Sequence, residues 1–425
     1  MTTMLILGSL LLALAGAPLF AVLAAIALIS FTSAGIEPVA VIVELYRMAS
    51  QPTLLAIPLF TFAGYLLAES NAPKRVVRVS HALFGWMPGG LAIVALLACS
   101  FFTAFTGASG VTIVALGGLL FPVLMNEGYP ERFSLGLLTS SGSLGLLFPP
   151  SLPIILFAMI AGINIDQLFL AGMMPGILLI LALSLFSART ASVNKVPRIP
   201  FKTKEALAAI KDAAWEIPLP FLIVIGIYGG FFTATEAASI TAVYLIIVEI
   251  LIHRDIHPTK ELPKIARDSM ILVGSILIIV GSALGLTNYL IDAEIPRVIF
   301  EFIRGTITSK WAFLIALNIF LLIVGALMDI FSAIMVVVPL ILPIAQEFGV
   351  NPVHLGIIFL TNLEIGYSTP PVGLNLFISS IRFQKPVLQL YRAALPFLGI
   401  LLAALLVITY WEGLSLGLVN LIYGK

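Results

Sequence analysis

The sequence predicts an all-α polytopic membrane protein in which an inverted repeat supplies two re-entrant helical hairpins and two broken helices. Three observations carry this expectation. Of 425 residues, 60% are hydrophobic and 10% charged, with a mean hydropathy of +1.13, the composition of a chain that buries its surface in lipid. Two apolar runs long enough to span a bilayer are interrupted in the same way, by Gly145-Leu-Leu-Phe-Pro149-Pro150 and by Gly366-Tyr-Ser-Thr-Pro370-Pro371. The pairs Pro122/Pro343, Gly128/Gly349, Gly145/Gly366, Pro149/Pro370, Pro150/Pro371 and Pro175/Pro396 all share one spacing, 221 residues, which marks an internal duplication.

Apolar runs of about 20 residues, the length of a spanning helix, fall near 4–31, 53–70, 133–163, 165–188, 217–232, 234–252, 270–291, 353–381 and 388–411. The first charged residue is Glu37; without the basic flank of a cleavable signal, 4–31 is expected to be the first membrane helix. Residues 90–126 and 309–347 are each two apolar arms split by a small or polar tip, Thr106-Gly107-Ala108-Ser109-Gly110 and Gly325-Ala-Leu-Met328-Asp329. Both are expected to be hairpins that enter and leave on one side. Segments 73–86, 200–214 and 293–304 are too polar to cross and are patterned to lie in the interface, where they could brace a scaffold. The expected division is scaffold and interfacial helices at 1–89, a first transport half at 90–188, a linker with scaffold helices at 189–308, a second transport half at 309–411 and a tail at 412–425.

Upstream, Tyr65-Leu66 with Pro73 resembles Tyr289-Leu290 with Pro296. The duplicated unit therefore reads helix, hairpin, broken helix, helix. If 4–31 pairs with 234–252, an odd number of crossings separates the two copies and inverts the second. Charge tests this topology, because cytoplasmic loops are richer in Lys and Arg. With the amino terminus inside, 17 of the 22 basic residues fall on the inner side, from Lys74, Arg75 and Arg78 through Arg198 to Arg392. Arg47, Arg297, Arg304, Lys310 and Lys425 remain outside, which puts the carboxyl terminus outside and opens the two hairpins to opposite faces.

Net charge is +1 and no basic cluster interleaves with aromatics, so nothing points to nucleic acid. The single cysteine, Cys99, excludes an intrachain disulfide and reads as a small buried apolar residue. His81, His253 and His257 fall in interfacial segments and His354 at a helix start, where solvated or capping roles are expected.

Unwound backbone at mid-membrane must be buried in protein or line a cavity, and paired broken helices point to a transporter's binding site. Their freed amides suit an anion and their freed carbonyls a cation. The first gap carries Ser140, Ser141, Ser143 and Gly145, faced by Thr106 and Ser109; the second carries Thr361, Asn362, Gly366, Ser368 and Thr369, faced by Gly325 and Asp329. Neutral oxygens suit a hard cation, and sodium fits them better than a proton relay, which needs a chain of carboxylates or histidines. Asp329 and Glu364 are acids at membrane depth; Asp329 equally suits a helix cap, and Glu236 in Phe-Thr-Ala-Thr-Glu-Ala-Ala follows a cap. Gly107-Ala108-Ser109-Gly110 matches the Gly-x-Ser-Gly of rhomboid-type serine proteases, but His354 is expected at the opposite face from Ser109, so no enzyme is expected.

These motifs together resemble the large membrane subunit (DctM-like) of the tripartite ATP-independent periplasmic (TRAP) transporters. The resemblance rests on Phe-Thr-Gly-Ala-Ser-Gly, Gly-Ser-Leu-Gly-Leu-Leu-Phe-Pro-Pro-Ser, Phe-Thr-Ala-Thr-Glu-Ala-Ala and Glu364-Ile-Gly-Tyr-Ser-Thr-Pro-Pro-Val-Gly-Leu-Asn. It implies an elevator-type importer in the bacterial inner membrane, driven by about two Na+ ions. It also implies two partners, a small membrane subunit, here expected as a separate chain, and a periplasmic substrate-binding protein that delivers an organic acid such as a C4-dicarboxylate or sialic acid. Carried over by position, sodium would sit at Ser109, Ser143, Gly145 and Pro149, and again at Gly325, Asp329, Gly366 and Thr369. Substrate would lie between them, near Thr106, Ser140, Ser141, Thr361, Asn362 and Ser368. This chain has Gly-Ala-Ser-Gly where a typical member has Gly-x-Ser-Ser, so main-chain carbonyls are expected to share the ligation. The runner-up is a stand-alone sodium/dicarboxylate or citrate symporter.

Overall fold

The computed structural model describes residues 5, 8–9, 11–12, 17–39, 41–43, 46, 50, 52–197, 200–305, 307–370 and 372–424. Every regular element among them is a helix. Seven are long and apolar enough to cross a membrane, eight when the pair 131–147 and 152–161, bent by 46°, is one span. Pro371, Arg47, Arg198, Lys425 and the start of the expected first helix, Met4, lie outside the described residues.

The first half runs α1 (Leu19–Ser33), α2 (Ala56–Glu69), α3 (Ala72–Phe84), a hairpin of α4 (Gly90–Thr106) and α5 (Ser109–Asn126), a broken helix of α6 (Glu131–Ser141) and α7 (Leu152–Ala161), and α8 (Ile165–Val193). Two short helices follow, α9 (Thr203–Asp212) and α10 (Pro218–Tyr228). The second half repeats the order with α11 (Ala234–Ile252), α12 (Leu262–Asp292), α13 (Ile295–Arg304), the hairpin α14 (Lys310–Leu327) and α15 (Ile330–Glu347), the broken helix α16 (Pro352–Gly366) and α17 (Leu374–Phe383), and α18 (Val387–Tyr410). A last helix, α19 (Glu412–Tyr423), closes the described chain.

The duplicated glycines end helices in the same way in each half, and an asparagine caps one helix in each. Gly128 and Gly349 sit in the left-handed region, φ +85° and +72°, just past the second hairpin arms. There Tyr129 N–H donates to the Leu124 carbonyl at 3.1 Å and Val350 N–H to the Ala345 carbonyl at 2.9 Å, the glycine-terminated helix end that an L side chain resists. Asn164 and Asn351 cap α8 and α16 by accepting from the second and third amides of each helix.

Packing between the halves is reciprocal. The second arm of each hairpin lies on the far half of the other broken helix, α15 on α7 and α5 on α17. Likewise α6 packs on α18 and α16 on α8, while α1 packs on α12 and α2 on α11. Exchanging the halves maps each of these contacts onto another.

Four expectations change. The run 217–232 contains a helix only from Pro218 to Tyr228, about 16 Å long at 1.5 Å per residue. The run at 270–291 begins at Leu262 and carries Lys264, Arg267 and Asp268 on its first turns. The tail is the helix α19, packed on α8. His354 is fully buried, with Nε2 3.1 Å from the Thr409 carbonyl, because α18 covers the start of α16.

The interfacial segments are helices, and the first is clamped by one guanidinium. Arg75 of α3 donates from Nε to Glu216 at 2.5 Å, from Nη1 to Asp255 at 2.6 Å and from Nη2 to Glu249 at 3.0 Å. Burial alone would lower the Arg75 pKa; the bond to Asp255 and the three carboxylates hold it above its ordinary value. Asp255, despite burial that would raise it, is held below the usual carboxylate range by Asn71 and Arg75. Charged contacts across elements each join groups expected on one face: Arg75 with Asp255, Arg78 with Asp212 and Lys385 with Glu131 on one, Lys310 with Glu412 on the other.

Candidate functional site

Each broken helix is pressed, through its glycine, against the end of its own hairpin. A Cβ on Gly145 would stand 2.2 Å from the Ser100 carbonyl oxygen and 2.5 Å from the Ala104 nitrogen of α4. One on Gly366 would stand 2.6 Å from the Cα of Gly325, near the end of α14. Ala104 and Gly325 share the 221-residue spacing of the two glycines, so the same backbone approach is made twice.

The hairpin tips are tied to the breaks by hydrogen bonds. Thr103 donates to the Gly142 carbonyl at 2.7 Å and lies 2.7 Å from the Thr112 hydroxyl, joining both arms of the first hairpin to the end of α6. At the second tip, Ile330 N–H donates to the Tyr367 hydroxyl at 2.5 Å and Gly373 N–H to the Ala326 carbonyl at 3.0 Å. Asp329 caps α15: one carboxylate oxygen accepts from the amides of Phe331 and Ser332, both at 3.0 Å, and the other accepts from the Ser332 hydroxyl.

The two breaks also touch each other. Ser143 donates to the main-chain carbonyl of Glu364 at 3.3 Å, and the Asn375 amide donates to Ser143 at 3.4 Å and to the Thr139 carbonyl at 3.3 Å. Thr139 and Ser379 share a bond of 2.9 Å. Ser143 and Glu364 are themselves 221 residues apart, so equivalent positions of the two halves meet.

Of the expected site residues, Ser109, Ser140 and Ser368 are buried with no hydrogen-bond partner. Buried polar atoms in folded proteins nearly always have partners, so these hydroxyls are free to take a ligand. Ser141, Thr361 and Thr369 donate back to carbonyls of their own helices, those of Leu138, Ile357 and Ile365; their oxygens keep a lone pair for a cation. Thr106 lies 3.4 Å from the Ala108 carbonyl oxygen within the tip. Gly145 and Gly366 carbonyls each accept one turn bond, from Phe148 and Thr369. Pro149 borders an apolar cavity of about 310 Å³ lined also by Phe101, Phe105, Phe148 and Phe221. Asn362 is drawn aside: its amide donates to Asn318 at 2.7 Å, and Asn318 donates to Thr409 at 3.1 Å.

Sequence reasoning missed Thr103, Thr112, Thr139, Asn318, Asn375 and Ser379. Thr103 carried a signal, lying one turn before Thr106. Asn375 follows the second break as the breaks' own serines precede them, but its partner Thr139 is in the other half. Glu236 is the capping-box acid: it accepts from Thr233 N–H at 2.7 Å while its own amide donates to Thr233 at 3.3 Å.

Over residues 4–414 the chain matches the family described as the tripartite ATP-independent periplasmic transporter, DctM component. The chain belongs to this DctM family. It is 38% identical over 379 residues to the C4-dicarboxylate TRAP transporter large permease protein DctM of Pseudomonas aeruginosa, covering 89% of this chain and 88% of that one. It is also 32% identical over 400 residues to the isethionate TRAP transporter permease protein DctMQ of Oleidesulfovibrio alaskensis, covering 93% of this chain and 62% of that longer one. A crystal structure of the YdaH transporter of Alcanivorax borkumensis has a similar fold, with a TM-score of 0.58 over 86% of this chain and 85% of that one, at 13% identity. DctM-family proteins are transport permeases and not enzymes, so the Gly-x-Ser-Gly match at Ser109 carries no protease chemistry; His354 instead bonds to Thr409.

Proposed function

We propose that this DctM-family permease imports an organic acid anion of the C4-dicarboxylate class, coupled to sodium, by elevator-type alternating access in the bacterial inner membrane. The observation that carries this is the pair of breaks held against hairpin tips with unpartnered oxygens buried beside them. Sodium is co-substrate here. It would be held by Ser109, Ser143, Gly145 and Pro149 in the first gap, and by Gly325, Gly366 and Thr369 in the second, with Asp329 orienting the second tip as its cap. The organic anion would lie between, near Thr106, Ser140, Ser141, Thr361 and Ser368, facing the amino-terminal ends of α7 and α17, whose free amides favour negative charge. Asn362 would support that region through Asn318.

The reciprocal packing of the halves supports an inverted repeat, and the sidedness of the ion pairs supports an inside amino terminus and an outside carboxyl terminus. A small membrane subunit and a periplasmic substrate-binding protein complete the system; the sialic acid class is a second cargo consistent with the same site. The longer Oleidesulfovibrio relative is named a permease protein DctMQ; here the small subunit is proposed as a separate chain. Proteoliposomes holding this chain with its small subunit should take up succinate only with an inward sodium gradient and the binding protein present. Equal uptake with potassium on both sides would contradict sodium coupling, and uptake without the binding protein would favour a stand-alone symporter.

A further inference from the structure

Glu364 is 1% exposed, and neither of its carboxylate oxygens has a hydrogen-bond partner. Among the described residues no Lys, Arg or His forms an ion pair with it. A carboxylate in such surroundings demands a counter-charge or further bonds. Its place on the chain deepens that demand. Glu364 lies two residues before the carboxyl-terminal end of α16, and Ser143, which touches its carbonyl, follows the carboxyl-terminal end of α6. Two helix ends of negative sign thus converge on a buried acid, at the point where equivalent positions of the two halves meet.

A second group points to the same occupant. Asn375 is 0% exposed, its amide nitrogen is bound to Ser143 and Thr139, and its Oδ1 has no partner. Ser143 joins the two residues, through the main-chain carbonyl of Glu364 and the side-chain nitrogen of Asn375, so the orphaned carboxylate and the orphaned amide oxygen belong to residues that meet at one hydroxyl.

We propose that Glu364, with the side-chain oxygen of Asn375 and the Ser143 hydroxyl, forms a further alkali-cation site at the crossing of the two breaks, additional to the two sites at the hairpin tips and sharing Ser143 with the first of them. Oxygen ligands suit a hard ion, and a monovalent ion leaves one carboxylate neutral, whereas a divalent ion would leave net buried charge. Because the site draws ligands from both halves, its ion ties the two broken helices together while the tip ions tie each break to its own hairpin. This rests on the proposed sodium coupling.

The test is equilibrium binding of radioactive sodium to the purified complex of this chain with its small subunit, in nanodiscs without cargo. Glu364→Gln, close to isosteric and uncharged, should bind one sodium ion fewer per complex than wild type while melting at the same temperature in potassium. Glu364→Asp, which withdraws the charge by one methylene, should keep the count with affinity at least about tenfold weaker. Undiminished binding by the Gln variant would overturn the site and leave Glu364 a neutral structural acid, with sodium coupling intact. Wild type that binds no sodium would overturn the coupling itself, and this site with it. Should the Gln variant fail to fold, unchanged affinity in the Asp variant would overturn the site alone.

Discussion

Gly145→Ala and Gly366→Ala should each abolish uptake in reconstituted proteoliposomes and lower the melting temperature of the purified complex. The added methyl on Gly145 would stand 2.2 Å from the Ser100 carbonyl oxygen, and on Gly366 it would stand 2.6 Å from both Cα and C of Gly325. Both obstacles are backbone, which cannot swing aside as a side chain can. Overpacking of this kind costs about 1–3 kcal/mol even where neighbours relax, and here relief means separating the break from the hairpin tip. That separation moves the gap oxygens apart, so activity should fall further than stability. Gly399→Ala, with open space around its Cα, is the control and should transport as wild type. Near-normal uptake by Gly145→Ala, measured at equal protein in the membrane, would mean that close approach of tip and break is not needed.

Arg75→Ala should destabilise the complex by about 3–5 kcal/mol, the cost of removing one partner from a buried ion pair. Glu216 and Glu249 are fully buried, and without the guanidinium both lose their counter-charge. Lysine should rescue little, because a single ammonium cannot reach three carboxylates that Arg75 engages with three separate nitrogens. Neutralising the acids should recover much of the loss: Glu216→Gln with Glu249→Gln in the Arg75→Ala background removes the unpaired charges. Thermal melting of the four combinations measures the coupling, and a Gln pair that rescues nothing would place the cost elsewhere than in uncompensated charge.

Much of this architecture was legible in the sequence because Gly and Pro act locally. Gly128 and Gly349 stood out only by their shared spacing, and Gly145 and Gly366 marked the breaks. The tip residues Thr106 and Asp329 stood out as polar interruptions, and Asp329 proved to be the cap of α15 that its sequence position allowed. Relations between distant segments were not legible. Nothing local to Ser109–Asn126 says that Leu374–Phe383 is its neighbour as well as its own broken helix. Arg75 read as one more inner-face charge, since its partners Glu216, Glu249 and Asp255 lie more than a hundred residues away. His354 read as a helix-start residue because the α18 segment that buries it follows a whole broken helix later. Glu364 was visible as an acid at membrane depth; its lack of partners was not, because burial and pairing are properties of the fold.

The most direct test is a high-resolution electron cryomicroscopy map of the permease with its small subunit, recorded once in sodium and once in potassium. Both maps should show helices interrupted at Gly145–Pro149 and Gly366–Pro370, and the sodium map should add compact density within 2.3–2.6 Å of oxygens, about the range for hard cations, in both gaps. Continuous helices through these segments, or gaps that look the same in the two salts, would contradict a permease that carries its cargo on ions held between broken helices and hairpin tips.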